Sequence, residues 1–426
     1  MRRWKGMLTM GQKKAVTREL RDRYQRLSKK EKTIFLNEFV QLTGYNRSYA
    51  ARALRIKKVL GYMNIAGKRV RLVRDKRKIK REKKKIYDRE VLTALKELWK
   101  ICDYICSKRL APFLSEIVPI LEKWGEIILN PKVREKLFKI SAATIDRLLA
   151  DTRKRHRIKG RSTTRPGTLL KKSIPIRTFA DWDEKVPGFF EVDLVSHDGG
   201  AVRGDFAQSL NFTDIATGWV EMVAVKNKAQ VWVFAGIETI KERLPFSILG
   251  IDSDNGSEFI NDHLLRYCKE EHITFTRSRP YRKNDSCFVE QKNWSVIRRA
   301  VGYGRYDTDK ELNILNELYS YLRLYSNLFQ PVRKLIKKER IGSKVIKRYD
   351  EAKTPYRRVL ASPDIEDKIK VKLKNQYDML NPAELKRKIT KLEDKLLKLN
   401  ALKQKVREDL LEKSVEPSSR FEYIST

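Results

Sequence analysis

The chain has 426 residues, enough for two to four domains with cores of their own. Its 94 Lys and Arg against 54 Asp and Glu leave a formal net charge of +40, a balance that points to polyanionic partners, nucleic acid first. No apolar run approaches the roughly 18 residues a membrane span needs. The basic start "MRRWKGM" has no apolar signal segment behind it, and four cysteines suit a reducing, cytoplasmic compartment rather than a disulfide framework.

Residues 1–85 read as a helical domain followed by a basic arm. Ser28 and Glu31 are spaced as a capping box, and Ile34, Phe35, Phe39 and Leu42 give the helix behind them an apolar face. Thr43-Gly44 breaks that helix, and Asn46 can cap a second one through Ala50, Ala53 and Leu54. Helix, glycine turn, helix is the helix-turn-helix pattern, with Arg47, Ser48, Arg52 and Arg55 outward as candidate DNA contacts. The run "KRVRLVRDKRKIKREKKK" (68–85) would track phosphates. The nearby "GYMNIAGKR" resembles a phosphate-binding loop only superficially, with one residue too many between its glycines and Arg for Ser or Thr.

Residues 86–160 repeat the theme as a second helical DNA-binding domain, with Pro112 and Pro119 as punctuation and Arg147 outward on a helix that Ser141 caps. Cys102 and Cys106 lie in an apolar helical pattern with no histidine near, which suits core thiols better than zinc. Residues 161–185 are polar and interrupted, as in a linker. The pattern then changes to strands: 188–195, 206–217 and 219–225 are β-rich, a helix over 228–244 leads to a strand ending at Asp254, and a helix and the strand "ITFTRS" follow. Residues 186–330 therefore predict a mixed sheet flanked by helices, in a multidomain α plus α/β chain. Residues 331–380 form a small basic accessory domain. In the helical tail, 381–426, Leu385, Ile389, Leu392, Leu396 and Leu399 make a short heptad seam, continued loosely through Val406 and Leu410. A coiled coil between subunits and a helix folded back on its own chain explain that seam about equally.

Three carboxylates stand out. Asp193 sits among hydrophobic residues in "FFEVDLV", where an unpaired charge is costly. Asp254 ends a strand in "SDNGSEF", and Glu290 follows 36 positions later in "RPYRKNDSCFVEQKN". This ordered set resembles the catalytic core of retroviral integrases and related bacterial insertion-sequence transposases, over residues 186–305. The resemblance implies a ribonuclease-H-like fold in which Asp193, Asp254 and Glu290 bind two Mg²⁺ ions, with Mn²⁺ able to stand in. Such ions, about 4 Å apart, activate water and stabilise both attacking and leaving oxygens of a phosphodiester. Mg²⁺ needs only a few carboxylates, so no histidine is required.

The resemblance further implies a transposase that cuts the ends of a mobile element and joins them to target DNA. Its partners would be duplex DNA, as terminal repeats and target, and at least one further copy of itself, near the nucleoid of a prokaryote. A nuclease that cleaves without joining and a DNA-binding regulator with a dead site are the alternatives. Asp252, Asn255 and His197 are candidate supporting groups, and Arg298 and Arg299 could reach DNA beside the scissile phosphate. Asn293 and Ile297 share the face of the helix that follows Glu290. Two features depart from the retroviral pattern: no paired His and Cys precede the core, and the loop "YRKNDSCF" lacks a glycine.

Overall fold

Local capping chemistry starts the chain. Helices α1 (Met10–Arg26) and α2 (Lys29–Thr43) open on full capping boxes, Thr9 with Gln12 and Ser28 with Glu31, while the Asn46 side chain caps α3 (Arg47–Leu54). Gly44 ends α2 at φ +66°, a left-handed conformation that glycine adopts without steric cost. The three helices close on Tyr24, Leu36, Phe39, Ala50 and Leu54. That stripe differs from the expected one: Ile34 and Leu42 are exposed, and Leu36 replaces them against the neighbouring helices. An antiparallel hairpin follows, β1 (Val59–Ile65) and β2 (Lys68–Val73), turning through Ala66 and Gly67 at φ +48° and +76°. The first part of the expected basic arm is therefore strand, and its remainder, 74–85, lies outside the described residues.

The computed structural model describes residues 8–55, 59–73, 86–155, 176–177, 186–201, 203–253, 258–259, 262–278, 287–341 and 344–414. It divides into two units, Met1–Lys84 and Lys85–Thr426.

The second unit begins with α4 (Arg89–Ile101), α5 (Ser107–Lys123), α6 (Pro131–Phe138) and α7 (Ala142–Arg155). Pro112 and Pro119, expected as breaks, lie inside α5. Burial of Phe113, Leu114, Ile117, Val118 and Leu121 outweighs a propensity cost of about 3 kcal/mol per proline. Cys102 and Cys106 flank the α4–α5 turn rather than sharing a helix face. Cys102 is buried, which pushes its thiol up to about 12, and Cys106 is exposed.

A mixed six-stranded sheet follows. Its strands are β3 (Ile176–Arg177), β4 (Phe189–Ser196), β5 (Gln208–Asp214), β6 (Val220–Val225), β7 (Gly250–Ser253) and β8 (Thr274–Ser278), in spatial order β3-β8-β7-β4-β5-β6. β4, β5 and β6 pair antiparallel, while β7 lies parallel to β4 and β8 parallel to β7. Ile176–Arg177 extends the edge beside β8, a strand within the expected linker. Gly250 is required where β7 meets β4, since a Cβ there would come within 2.5 Å of the Phe189 ring. Helix α8 (Gln230–Arg243) joins β6 to β7, and α9 (Asp262–Glu270) joins β7 to β8.

After β8 come α10 (Cys287–Lys292), a π-helical segment (Asn293–Arg298), α11 (Arg299–Val301) and the long α12 (Asp309–Phe329). A hairpin, β9 (Leu335–Ile341) with β10 (Lys344–Tyr349), precedes α13 (Pro355–Ala361), α14 (Asp367–Asp378) and α15 (Pro382–Ser414). The seam on α15 is internal. Leu385, Ile389, Leu392 and Leu396 are buried within the unit's core as α15 packs along α12 and touches α4, whereas Val406 is exposed. Among the described residues no helix is long and apolar enough to cross a membrane.

Candidate active site

β4 carries Glu191 and Asp193, two positions apart and so on one face of the sheet. Asp193 is half-buried; its Oδ1 accepts from the Leu194 N–H at 2.8 Å and its Oδ2 from the Asn293 side-chain amide at 2.6 Å. The Oδ1 of Asn293 in turn accepts from Asn211 Nδ2 at 2.7 Å, and Asn211 is the partner of Asp193 on β5. A carboxylate between these amides is fixed in orientation while it stays within reach of solvent.

Glu191 is fully buried, and its Oε2 accepts from the Phe288 and Val289 N–H groups at 2.7 and 2.8 Å. These are the first-turn amides of α10, the helix that carries Glu290. The other oxygen, Oε1, has no hydrogen-bond partner among the described residues. Burial holds the Glu191 carboxyl well above the usual range. The Val289 and Phe288 amides oppose that shift, and the charges of Asp252 and Glu290 add to it. Asp252 is opposite Glu191 on β7, buried, with Oδ1 accepting from the Thr276 hydroxyl at 2.6 Å. Asp252 thus sets a second carboxyl beside Glu191. Asp254 and Asn255 lie outside the described residues, and the last described pair of that ladder is Ser253 with Val192.

Glu290 is exposed, and its helix is bonded to β4 carboxylates on either side of it in sequence, at Phe288 and Val289 and again at Asn293. The π-helical segment begins at Asn293, an irregularity that recurs at functional sites. Ile297 is buried beneath this helix, and Trp294 is exposed. Among the described residues no three His, Cys, Asp or Glu side chains gather into a metal cluster. A cavity of about 1500 Å³ in the second unit is lined by Lys292, Arg299, Tyr325 and Lys386 and includes neither Asp193 nor Glu290.

Other expected residues take different places. His197 is a core side chain: its Nε2 meets the Ser209 hydroxyl at 2.7 Å, its ring packs on Tyr306, and burial with the Arg298 charge pulls it down to about 3. Arg298 spends its guanidinium on the Ser196 and Gly302 carbonyls, at 2.6 and 3.2 Å, and stacks on Tyr303 instead of facing outward. Arg299 reaches back to Asp103, binding its carbonyl and its carboxylate. Arg47, Ser48, Arg52 and Arg55 are all exposed on or just after α3, although Arg47 also contacts Asn37, and Arg147 is exposed on α7. Glu191 escaped the sequence reading even though its spacing from Asp193 was visible in "FFEVDLV". Asn211 left no signal, because only strand register sets it opposite Asp193.

The uncharacterized protein y4rM of Sinorhizobium fredii is 38% identical over 351 residues, which cover 82% of this chain and 96% of that protein. The chain belongs to the y4rM family. No protein-family model matches it. Among solved structures it is similar to the catalytic core domain of BIV integrase, at 19% identity and a TM-score of 0.27, over 40% of this chain and 91% of that one. The HTLV-2 integrase catalytic core in complex with magnesium gives 16% identity and a TM-score of 0.26, over 34% and 91%. The simian T-cell lymphotropic virus intasome, in complex with a PP2A regulatory subunit, gives 14% and 0.29, over 50% and 69%. At these TM-scores the likeness is slight.

Proposed function

We propose that this y4rM-family chain is a DNA transposase: it binds the ends of a mobile element, cleaves a phosphodiester and joins the freed end to target DNA. The observation that carries the reading is the double attachment of the Glu290 helix to β4, through Glu191 and through the Asn293–Asp193 bond. It couples two of the three carboxylates named from the sequence across 97 positions, in a chain with a net charge of +40. The sheet supports it as well: three antiparallel strands followed by two parallel ones added beside the first are the order expected of a ribonuclease-H-like core.

Hard carboxylate oxygens at Asp193, Asp254 and Glu290 suit Mg²⁺, which when bound would acidify a water and neutralise charge on the phosphodiester. The chain's own residues orient the site. Asn293 and Asn211 hold the Asp193 carboxylate in one rotamer, and Glu191 seats the start of α10 so that Glu290 projects from a fixed first turn. The exposed cations of α3 and Arg147 would hold the duplex, phosphates giving affinity and base edges giving register. Joining two ends calls for two sites, hence for association of at least two copies. The Leu385–Leu396 face of α15, buried within its own chain, is not the surface for it.

The test is Mg²⁺-dependent nicking and strand transfer on a labelled element-end duplex. Glu290→Gln and Asp193→Asn should each lower both activities by about three orders of magnitude or more, with DNA affinity kept. Nicking by Glu290→Gln at near the wild-type rate would remove that residue from the site. Nicking without joining by the wild-type chain would assign a nuclease instead.

A further inference from the structure

The β9–β10 hairpin takes no part in the site above, and its sequence is strongly basic. Between Leu335 and Tyr349 stand Lys337, Lys338, Arg340, Lys344, Lys347 and Arg348 against a single acid, Glu339. Glu339 is already paired with Lys337. Strand register sets Lys347 opposite Lys338 and Arg348 opposite Lys337. Like charges directly across a ladder destabilise it, and a two-stranded hairpin is marginal in water to begin with.

The hairpin is anchored at its base. Val332 and Lys353 form a bridge, the Lys334 N–H donates to Asp350 Oδ1 at 2.6 Å, Lys334 Nζ donates to the Ala216 carbonyl at 2.6 Å, and Arg358 pairs with Asp350 at 2.6 Å. Beyond that base its two faces meet solvent. Ile336 and Lys337 are consecutive and both exposed, as are Lys347 and Arg348, and consecutive strand residues point to opposite faces. Ile341 and Val345 are exposed too, at 65% and 41%.

We propose that the β9–β10 hairpin is a nucleic-acid contact surface, a basic ribbon that lies in a groove of duplex DNA. A B-form major groove admits a two-stranded ribbon, phosphates on its walls would relieve the opposed cations, and the exposed aliphatic side chains would face sugars and base edges. The proposal rests on the reading of the chain as a DNA-acting protein.

The experiment uses the full chain with Lys337, Lys347 and Arg348 all changed to Gln. A control of equal charge changes Lys368, Lys372 and Lys374 to Gln, all exposed on α14. Affinity for a duplex of unrelated sequence is measured across a salt series. The ribbon variant should bind about tenfold more weakly near 0.1 M salt and reduce the logarithmic salt slope by about two to three, while the control changes less than about twofold. An exchange that keeps charge, Lys337→Arg with Lys347→Arg and Arg348→Lys, should restore the wild-type slope and so separate charge from folding. Equal loss in ribbon variant and control, or no loss in either, overturns the proposal. Intact duplex binding with lost self-association would give the ribbon to a second copy instead. A wild-type chain without salt-dependent DNA binding would sink the functional reading along with it, a result distinct from loss confined to the ribbon.

Discussion

The two units are built on different principles. Among the described residues Met1–Lys84 closes on five buried apolar side chains, its helices are delimited by caps within a few residues of themselves, and Tyr49, Tyr62, Met63 and Ile65 are exposed. Lys85–Thr426 buries polar groups and pairs them over long sequence distances: Glu221 with Arg323, Asn327 with the Val220 backbone, Asp307 with Lys403. A small core supplies little reserve stability and leaves the surface to its cations, which suits a part that meets a partner. A large core crossed by long-range polar pairs holds a few side chains to fixed positions, which suits a part that does chemistry.

Removing the core ring of the first unit should break this contrast most strongly. Phe39→Ala should cost about 3–5 kcal/mol, most of what a unit this size holds. Calorimetry should show its transition lost while that of the second unit stays in place; a shift of both together would mean that the units are not separable. In the second unit, Asp307→Asn should cost about 3–5 kcal/mol, because Lys403, Arg407 and Arg305 lose a shared, partly buried carboxylate. Burial would raise the Asp307 carboxyl, but hydrogen bonds from Lys403, Arg407 and Arg305 outweigh it and hold it below the ordinary value. A depressed carboxylate stabilises fully above its unfolded value near 4 and loses that contribution as pH falls towards its folded value. The melting gap between wild type and Asp307→Asn should therefore be full at neutral pH and narrow below about pH 4.

The positioning of Glu290 tests the contrast on the side of chemistry. Glu191→Ala should lower nicking about a hundredfold, whereas Glu191→Gln, which still offers an oxygen to the Phe288 and Val289 amides, should stay within about tenfold of wild type. Equal inactivity of both would show that the acid itself is needed. The smallest effect belongs to the first unit's surface: Arg52→Ala should weaken duplex binding by about 1–3 kcal/mol with no change in melting. That measurement suits a fragment ending at Lys84, because a cut near 160 would strip α4 of its packing against α15. Unchanged affinity would move the DNA contact off α3.

Much of this protein was legible along the chain. The capping pairs Ser28/Glu31 and Asn46, the alternation of strands and helices from β4 to β8, and the start of α15 at Asn381-Pro382 all follow from interactions within a few residues, which sequence displays directly. The sequence also displays Asp193 and Glu290 as acids in an apolar and a helix-initial setting, the ground on which their role is proposed. Other features depended on partners far away. Pro112 and Pro119 stay helical because α5 is buried, and the heptad seam of α15 turned inward because α12 offers it an apolar face. Arg298 found carbonyls near its own helix, and Glu191 became the anchor of α10 only once β4 and that helix met. Caps, turns and periodicity act within one or two helical turns, so the sequence alone determined where many elements start and stop and which acids stand at strand and helix ends. Burial and pairing arise from contacts tens to hundreds of positions apart, so only the tertiary structure decided which charged side chains face solvent and which are spent on holding the site in place.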